Sequence, residues 1–307
     1  MLEVTEYDKI LESLLKERIA IRDDVSVRQL HPERSGEEVL AAEIELRTSL
    51  ESEQRRVGHL QIIQGGVGSG KSLFMERYKQ QLQPDAAKAR TKWATIDFVG
   101  SQLRLGGAEE WLCNRFIQSF QAENPDIDLT DLTVLRGIFS RKIVSRRAGY
   151  SMLEAASPTE AQVQRAKDLM EWQDKPEVMA QGLAEYVIGS RHQALVVVMD
   201  NVDQLNLEDQ LSAFRLTLWF LELTHAFIIL QMRDETYERY KDKPPLDTFR
   251  TGVVFHISPP RFVDVVKRRL ELSIEFLAKE KERQRDRTYA IESGMRIRYS
   301  SGELEDF

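Results

Sequence analysis

Gly65-Gly66-Val67-Gly68-Ser69-Gly70-Lys71-Ser72 is the stretch that decides the reading of this chain. It matches the spacing G-x-x-x-x-G-K-[S/T] at every fixed position, and each residue type has a physical reason. Glycines let successive backbone N–H groups curl round a phosphate without Cβ clashes. The N-terminus of a following helix adds its partial positive charge. Lys71 is placed to reach β- and γ-phosphates, and Ser72 to ligate Mg²⁺. Immediately before the glycines, His59-Leu60-Gln61-Ile62-Ile63 reads as a short strand. Immediately after them, Lys71 to Leu82 reads as a helix that ends before Pro84. Strand, loop and helix therefore stand in the order that phosphate binding requires.

Working outward, four further stretches read as strands, at about 92–99, 194–200, 226–231 and 252–257. The strongest is Leu195-Val196-Val197-Val198-Met199, β-branched and apolar on both faces as a central parallel strand should be. Helical spacing fills the gaps. Residues 108–120 form one helix, and residues 124–190 show helical spacing throughout, with Met179, Leu183 and Val187 on one face and Gly189 as the expected C-cap. Leu211, Phe214 and Leu218 mark another helix. Beyond Ser258-Pro259-Pro260 a long helix carries Phe262, Val266, Leu270, Ser273 and Leu277 on one side. Strands alternating with helices imply an α/β fold: a five-stranded parallel sheet with helices on both faces. The expected organisation is a helical N-terminal extension (1–57), a core (58–258) with a helical insertion at about 124–190, and a helical segment at 259–307.

Mg²⁺ on a phosphate needs an acidic partner at the end of a neighbouring strand. Asp200 ends the 194–200 strand and is the expected metal-side carboxylate. Asn201 follows it, and an amide can orient a water but cannot take its proton. Asp203 is the nearest acid able to act as base; a capping role is the alternative.

Together these residues resemble the ASCE division of P-loop NTPases and, within it, the AAA+ and STAND branches, including origin-recognition-like and KAP-like ATPases. Val196-Val197-Val198-Met199-Asp200-Asn201-Val202-Asp203 is similar to the apolar-run-D-x-x-D form of the Walker B motif found there. The resemblance covers about residues 58 to 285. It implies a sheet order of 5-1-4-3-2, with ATP and Mg²⁺ as cofactors and hydrolysis of ATP as the activity. It also implies a polar sensor after the fourth strand, where Gln231-Met232-Arg233-Asp234 places Arg233 near a γ-phosphate. Arg239 and Arg250 lie where AAA+ proteins supply arginine fingers to a neighbouring subunit, so a homo-oligomer is one implied partner. A nucleotide-driven switch or motor in prokaryotic signalling, defence or DNA-linked processes follows, acting with a protein partner. Two departures stand out. Asn201 occupies the place of the usual water-activating acid. Ser300-Ser301-Gly302-Glu303 resembles a capping box that opens a helix of barely two turns, so the helical lid is expected to be truncated. A non-hydrolytic ATP-binding module and a small-acceptor kinase stay open as alternatives.

Composition bounds the rest. The chain has 307 residues, 43 Lys+Arg against 50 Asp+Glu and a net charge of −7, which gives no global attraction for nucleic acid or anionic lipid. Any nucleic-acid contact needs a local patch. Arg136, Arg141, Lys142, Arg146 and Arg147 offer one, within a segment that carries no acid; a solvated helix face is the other reading. The single Cys113 fits a reducing compartment and a buried place in its helix. The five histidines show no ligand spacing. No apolar run is long enough for a membrane helix and the N-terminus has no signal-like core, so the expected location is cytoplasmic, with no membrane partner. No N-K-x-D guanine motif is present, which favours adenine.

Overall fold

The computed structural model describes residues 27–28, 41, 44, 58–66, 68–101, 103, 106–242, 254–257, 262–283, 287–290 and 296–299. The chain divides into two units, one of residues 26–258 and one of residues 1–25 with 259–307. In the larger unit the apolar runs become one sheet. Its strands are β1 (Val27–Arg28), β2 (His59–Gln64), β3 (Thr91–Asp97), β4 (Ala194–Asp200), β5 (Phe227–Met232) and β6 (Val254–Ile257), in the order β1-β6-β2-β5-β4-β3. The five strands β2 to β6 run parallel, and counted alone they follow the expected order 5-1-4-3-2. The two-residue β1, which the sequence pattern did not reveal, pairs antiparallel with β6.

Burial explains the parallel arrangement. Every residue of β5, and every residue of β4 except Asp200, is buried. Such strands need cover on both faces, which the alternating helices supply. Helices α1 (Lys71–Arg77), α2 (Asp85–Ala89) and α3 (Ala108–Glu123) precede the insertion. The insertion holds α4 (Leu132–Ile138), α5 (Ser140–Ser145), α6 (Arg147–Ala156), α7 (Pro158–Gln173) and α8 (Pro176–Glu185). Helices α9 (Leu207–Thr224) and α10 (Asp234–Tyr240) complete the unit. Helices α3 and α9 meet through Phe116 and Phe220, both fully buried, with ring centroids 5.3 Å apart in an edge-on contact. The buried Asn124 amide donates to Trp93 O at 2.7 Å and Phe120 O at 2.8 Å, which ties the end of α3 to β3. Cys113 is fully buried on α3, and burial pushes its thiol up to about 12.

The segment between α3 and β4 is helical, and Met179, Leu183 and Val187 are buried on one face. Gly189 is not the C-cap. A π-turn, Tyr186–Ser190, continues α8, and Arg191 N–H closes it on Tyr186 O at 2.9 Å. The i→i+5 bond carries the winding past Gly189, and the left-handed residue that redirects the chain is His192, at φ 55°. A similar π-turn, Tyr78–Leu82, extends α1 over the range expected for a single helix. Helices α4 and α8 approach closely, because a Cβ on Gly182 would lie 2.9 Å from Ile138 Cγ2.

Behind this helical layer sits a polar knot. The Asp168 carboxylate, 3% exposed, accepts from Tyr150 Oη and, at 2.8 Å, from Gln164 Nε2, and pairs with Arg146 at 2.8 Å. Burial alone would raise its pKa. The bonds from Tyr150, Arg146 and Gln164 and the Arg146 charge outweigh burial and hold it below the usual carboxylate range.

In the smaller unit, α11 (Phe262–Arg283) carries Phe262, Val266 and Leu270 as exposed side chains. Two short strands, β7 (Arg287–Ala290) and β8 (Arg296–Tyr299), pair antiparallel with Tyr289 beside Ile297. The region expected to be wholly helical therefore contains a hairpin, consistent with the β-favouring Thr288, Tyr289, Ile297 and Tyr299 in its strands. The expected capping box at Ser300-Ser301-Gly302-Glu303 lies outside the described residues, as does most of the N-terminal extension. No helix among the described residues is long and apolar enough to cross a membrane.

Asp168→Ala should lower unfolding free energy by about 2–3 kcal/mol, since it strips a buried acid's charge-assisted bonds and leaves the buried Tyr150 hydroxyl without its acceptor. A carboxylate depressed in the folded state stabilises above its unfolded pKa of roughly 3.9 and loses that contribution as pH falls through the folded value. Urea titrations of the parent and variant should therefore differ most at neutral pH, and the difference should shrink as pH falls below the unfolded value.

Candidate functional site

The loop between β2 and α1 takes its shape from contacts that only glycine permits. A Cβ on Gly65 would lie 2.5 Å from Ser69 Oγ and 2.7 Å from Ile257 O. Gly68 and Gly70 hold left-handed φ values of 72° and 85°. The turn closes through Ser69 N–H on Gly66 O at 3.2 Å, and the helix begins with Phe74 N–H on Gly70 O at 2.9 Å. Val67, the remaining residue of the expected loop, lies outside the described residues.

Lys71 opens α1 and is 5% exposed. Its Nζ donates to Gly65 O at 2.8 Å and Gly66 O at 3.2 Å, and forms an ion pair with Asp203 at 2.8 Å. Beside it, Ser72 Oγ donates to Asp200 Oδ1 at 2.8 Å. That oxygen also accepts Asn201 N–H at 2.8 Å. Burial raises the Asp200 pKa, and the Asp97 and Asp203 charges add to it, against the lowering bonds from Ser72 and Asn201. The structure thus brings Lys71, Ser72, Asp200, Asn201 and Asp203 to one end of the sheet, although 128 positions separate Ser72 from Asp200.

It brings a further acid that sequence reasoning missed. Parallel register sets Asp97, the last residue of β3, beside Asp200. Asp97 Oδ1 accepts Val99 N–H at 2.9 Å and Asn201 Nδ2 at 2.9 Å. Asn201 has φ 59°, a left-handed conformation that asparagine tolerates better than most residues, and its Oδ1 accepts from Gln204 Nε2 at 2.8 Å. Only the sheet order signals Asp97: a strand read as 92–99 runs through it without a break.

Arg233 follows β5, the strand between the phosphate-loop strand and the Asp200 strand. Its Nε is buried with no hydrogen-bond partner among the described residues, and it makes no ion pair with Asp234 or Glu235 there. Gln231 Nε2 is also buried without a partner among the described residues. Asp234 instead meets His256 Nε2 at 3.2 Å. Arg239 is exposed, 5.9 Å from the centre of the Tyr240 ring, and Arg250 lies outside the described residues.

The basic residues of the insertion are spread over α4, α5 and α6, and acids from distant positions meet two of them. Arg141 pairs with Glu185 at 2.7 Å and Arg146 with Asp168. The Arg146 guanidinium also lies 5.0 Å from the Trp172 ring centre, with Lys142 Nζ at 6.0 Å. Arg136 and Arg147 are exposed.

A divalent cation bound with phosphate suits the donors present. Ser72 Oγ and the Asp200 carboxylate are hard oxygen donors already in contact, and Mg²⁺ takes such groups beside phosphate oxygens and water. Among the described residues no group of three His, Cys, Asp or Glu is arranged to hold a metal on its own.

No family model matches the chain, and no curated protein matches it in sequence. The solved structure of the Aeropyrum pernix ORC2 protein in its ADP form is similar to it at a TM-score of 0.43 and 14% identity, over 85% of this chain and 56% of that one. This chain thus spans little more than half the length of the protein it matches. A likeness of that size carries no argument about the site, whose reading rests on the strand order and side chains above.

The turn at Asn201 makes its own prediction. Asn201→Gly should fold at nearly parental stability, whereas Asn201→Val should lose about 1–2 kcal/mol in thermal or urea unfolding, because a β-branched residue resists positive φ.

Proposed function

We propose that this chain binds Mg·ATP at the loop 65–72 and hydrolyses it, working as a nucleotide-dependent switch or motor. The observation that carries the reading is the pairing of Lys71 with Asp203 and of Ser72 with Asp200 at one end of a parallel sheet. A buried ammonium and a hydroxyl–carboxylate pair, both beside a glycine-shaped loop, are the groups a triphosphate and its metal require. Lys71 and the loop amides hold the β- and γ-phosphates. Ser72 and Asp200 hold Mg²⁺, which neutralises phosphate charge when bound. Arg233, whose buried Nε is without a partner among the described residues, is placed to approach the γ-phosphate from the end of β5.

Asp203 is the base expected from the D-x-x-D pattern. Its contact with Lys71 supports a second role, as the counter-charge that an incoming phosphate displaces. One substitution separates the roles. Asp203→Asn as counter-charge tightens ATP binding about fivefold, the equivalent of about 1 kcal/mol, and leaves turnover in place. As base, the same change leaves affinity alone and stops turnover.

A second reading, an ATP-binding module without hydrolysis, is favoured by the amide at Asn201. Phosphate release by the purified chain, measured beside Lys71→Ala, decides between them. The parent should release phosphate, and the variant should lose about 10- to 100-fold in ATP affinity for want of the charge-assisted contact. Binding without release supports the module. A Lys71→Ala variant that binds ATP as tightly as the parent removes the phosphate assignment altogether.

A further inference from the structure

We propose that Asp97, held by Asn201, is the carboxylate that takes the proton of the attacking water; the inference rests on the nucleotide reading given above. A water-activating acid must stand at the strand ends, near the γ-phosphate, with an oxygen free to accept a proton. Four groups stand near that place, and three are otherwise committed. Asn201 is an amide. Asp200 is bonded to Ser72 and is the metal-side acid. Asp203 is the counter-charge of Lys71, and once a phosphate takes its place no other donor among the described residues aims its carboxylate.

Asp97 is the fourth. Register places it beside Asp200, and it is exposed at the end of β3. Its two bonds, from Val99 N–H and from Asn201 Nδ2, both fall on Oδ1. Oδ2 carries no partner among the described residues. One oxygen is thus fastened and the other left to accept. The fastening is rigid at both ends: Asn201 sits in a left-handed turn and is itself held by Gln204. The amide that cannot act as a base therefore orients the carboxylate that can.

The neighbouring strand β5 supplies donors at the same sheet end. Met199 lies beside Leu230 in register, so Asp200 and Gln231, each one residue further on, share a face of the sheet. Gln231 Nε2, in a side chain 1% exposed, has no partner among the described residues, and neither does Arg233 Nε two residues later. Buried donors left unpaired are costly, and an anion beside the acids satisfies them. The balanced step is direct. The water oxygen forms the new bond to the γ-phosphorus, and its proton passes to Asp97 Oδ2. The bond from that phosphorus to the bridging oxygen breaks, and its electron pair leaves on ADP.

The test compares the parent, Asp97→Asn and the exchanged pair Asp97→Asn/Asn201→Asp, by ATP affinity and by phosphate release at saturating Mg·ATP. Aspartate tolerates the left-handed turn as asparagine does, so the exchange reverses the pair without straining it. Asp97→Asn should keep its ATP affinity within about threefold and lose roughly 100-fold or more in kcat, with KM little changed. The exchanged pair should recover at least about tenfold over the single variant. Turnover of Asp97→Asn close to the parent overturns the role. So does loss of binding together with turnover, which makes Asp97 a builder of the loop alone. An exchanged pair no faster than Asp97→Asn overturns the claim that the two side chains work as a unit. A parent that binds ATP and releases no phosphate ends the role of Asp97 while the binding site stands. A parent that binds no ATP ends the nucleotide reading itself.

Discussion

A buried ammonium cannot be left alone. Lys71 is the first residue of its helix and is almost wholly enclosed, and the cost of enclosing its charge is met by two loop carbonyls and one carboxylate. That requirement shapes its surroundings. The loop must curl tightly enough to aim Gly65 O and Gly66 O inward, so Gly65 has no room for a side chain. The strand that leads into the turn of Asp203 must sit close enough to deliver an acid, so β4 is central rather than peripheral. A fold that hides a cation without a permanent anion beside it can bind another anion readily. The site is a charge balance that a phosphate can take over from Asp203.

The acids are organised by the same principle. Three carboxylates, Asp97, Asp200 and Asp203, converge on one sheet end, and like charges so placed repel. Each is given a different neighbour: Asn201 and Val99 for Asp97, Ser72 for Asp200, Lys71 for Asp203. The cluster is tolerated because every acid has its own donor. Different donors also give chemically different acids, which is how three copies of one side chain take three roles.

The parts of the molecule readable from sequence are those written in contiguous residues. The phosphate loop is eight consecutive positions, and β4 is apolar up to Met199 and β5 up to Leu230, as buried strands are. The strand order came from resemblance, and the register of β2 to β6 agrees with it. What escaped was assembled across distance or in too few residues for a period to show. Asp97 lies 103 positions before Asp200 and becomes its neighbour only when β3 takes the sheet edge beside β4. The acids that neutralise Arg141 and Arg146 come from α8 and α7, so a segment without acids of its own still has two of its five cations paired. β1 has two residues and β7 and β8 four each, too short for alternation to be distinctive. At Gly189 the local rule for ending a helix was sound, but a wider winding carried the chain past it.

The antiparallel β1 has a consequence for how copies of this chain behave in concentrated solution. A parallel sheet ending at β6 would show a row of unpaired N–H and C=O groups, a template on which another chain's strand can grow. Val27 and Arg28 cover part of that row, opposite Ile257 and His256. Two residues are enough to interrupt the template and too few to offer a new one. This short segment acts as a selvedge on the sheet. A chain shortened past Arg28 would lose that cover and expose β6 to edge-on pairing between molecules.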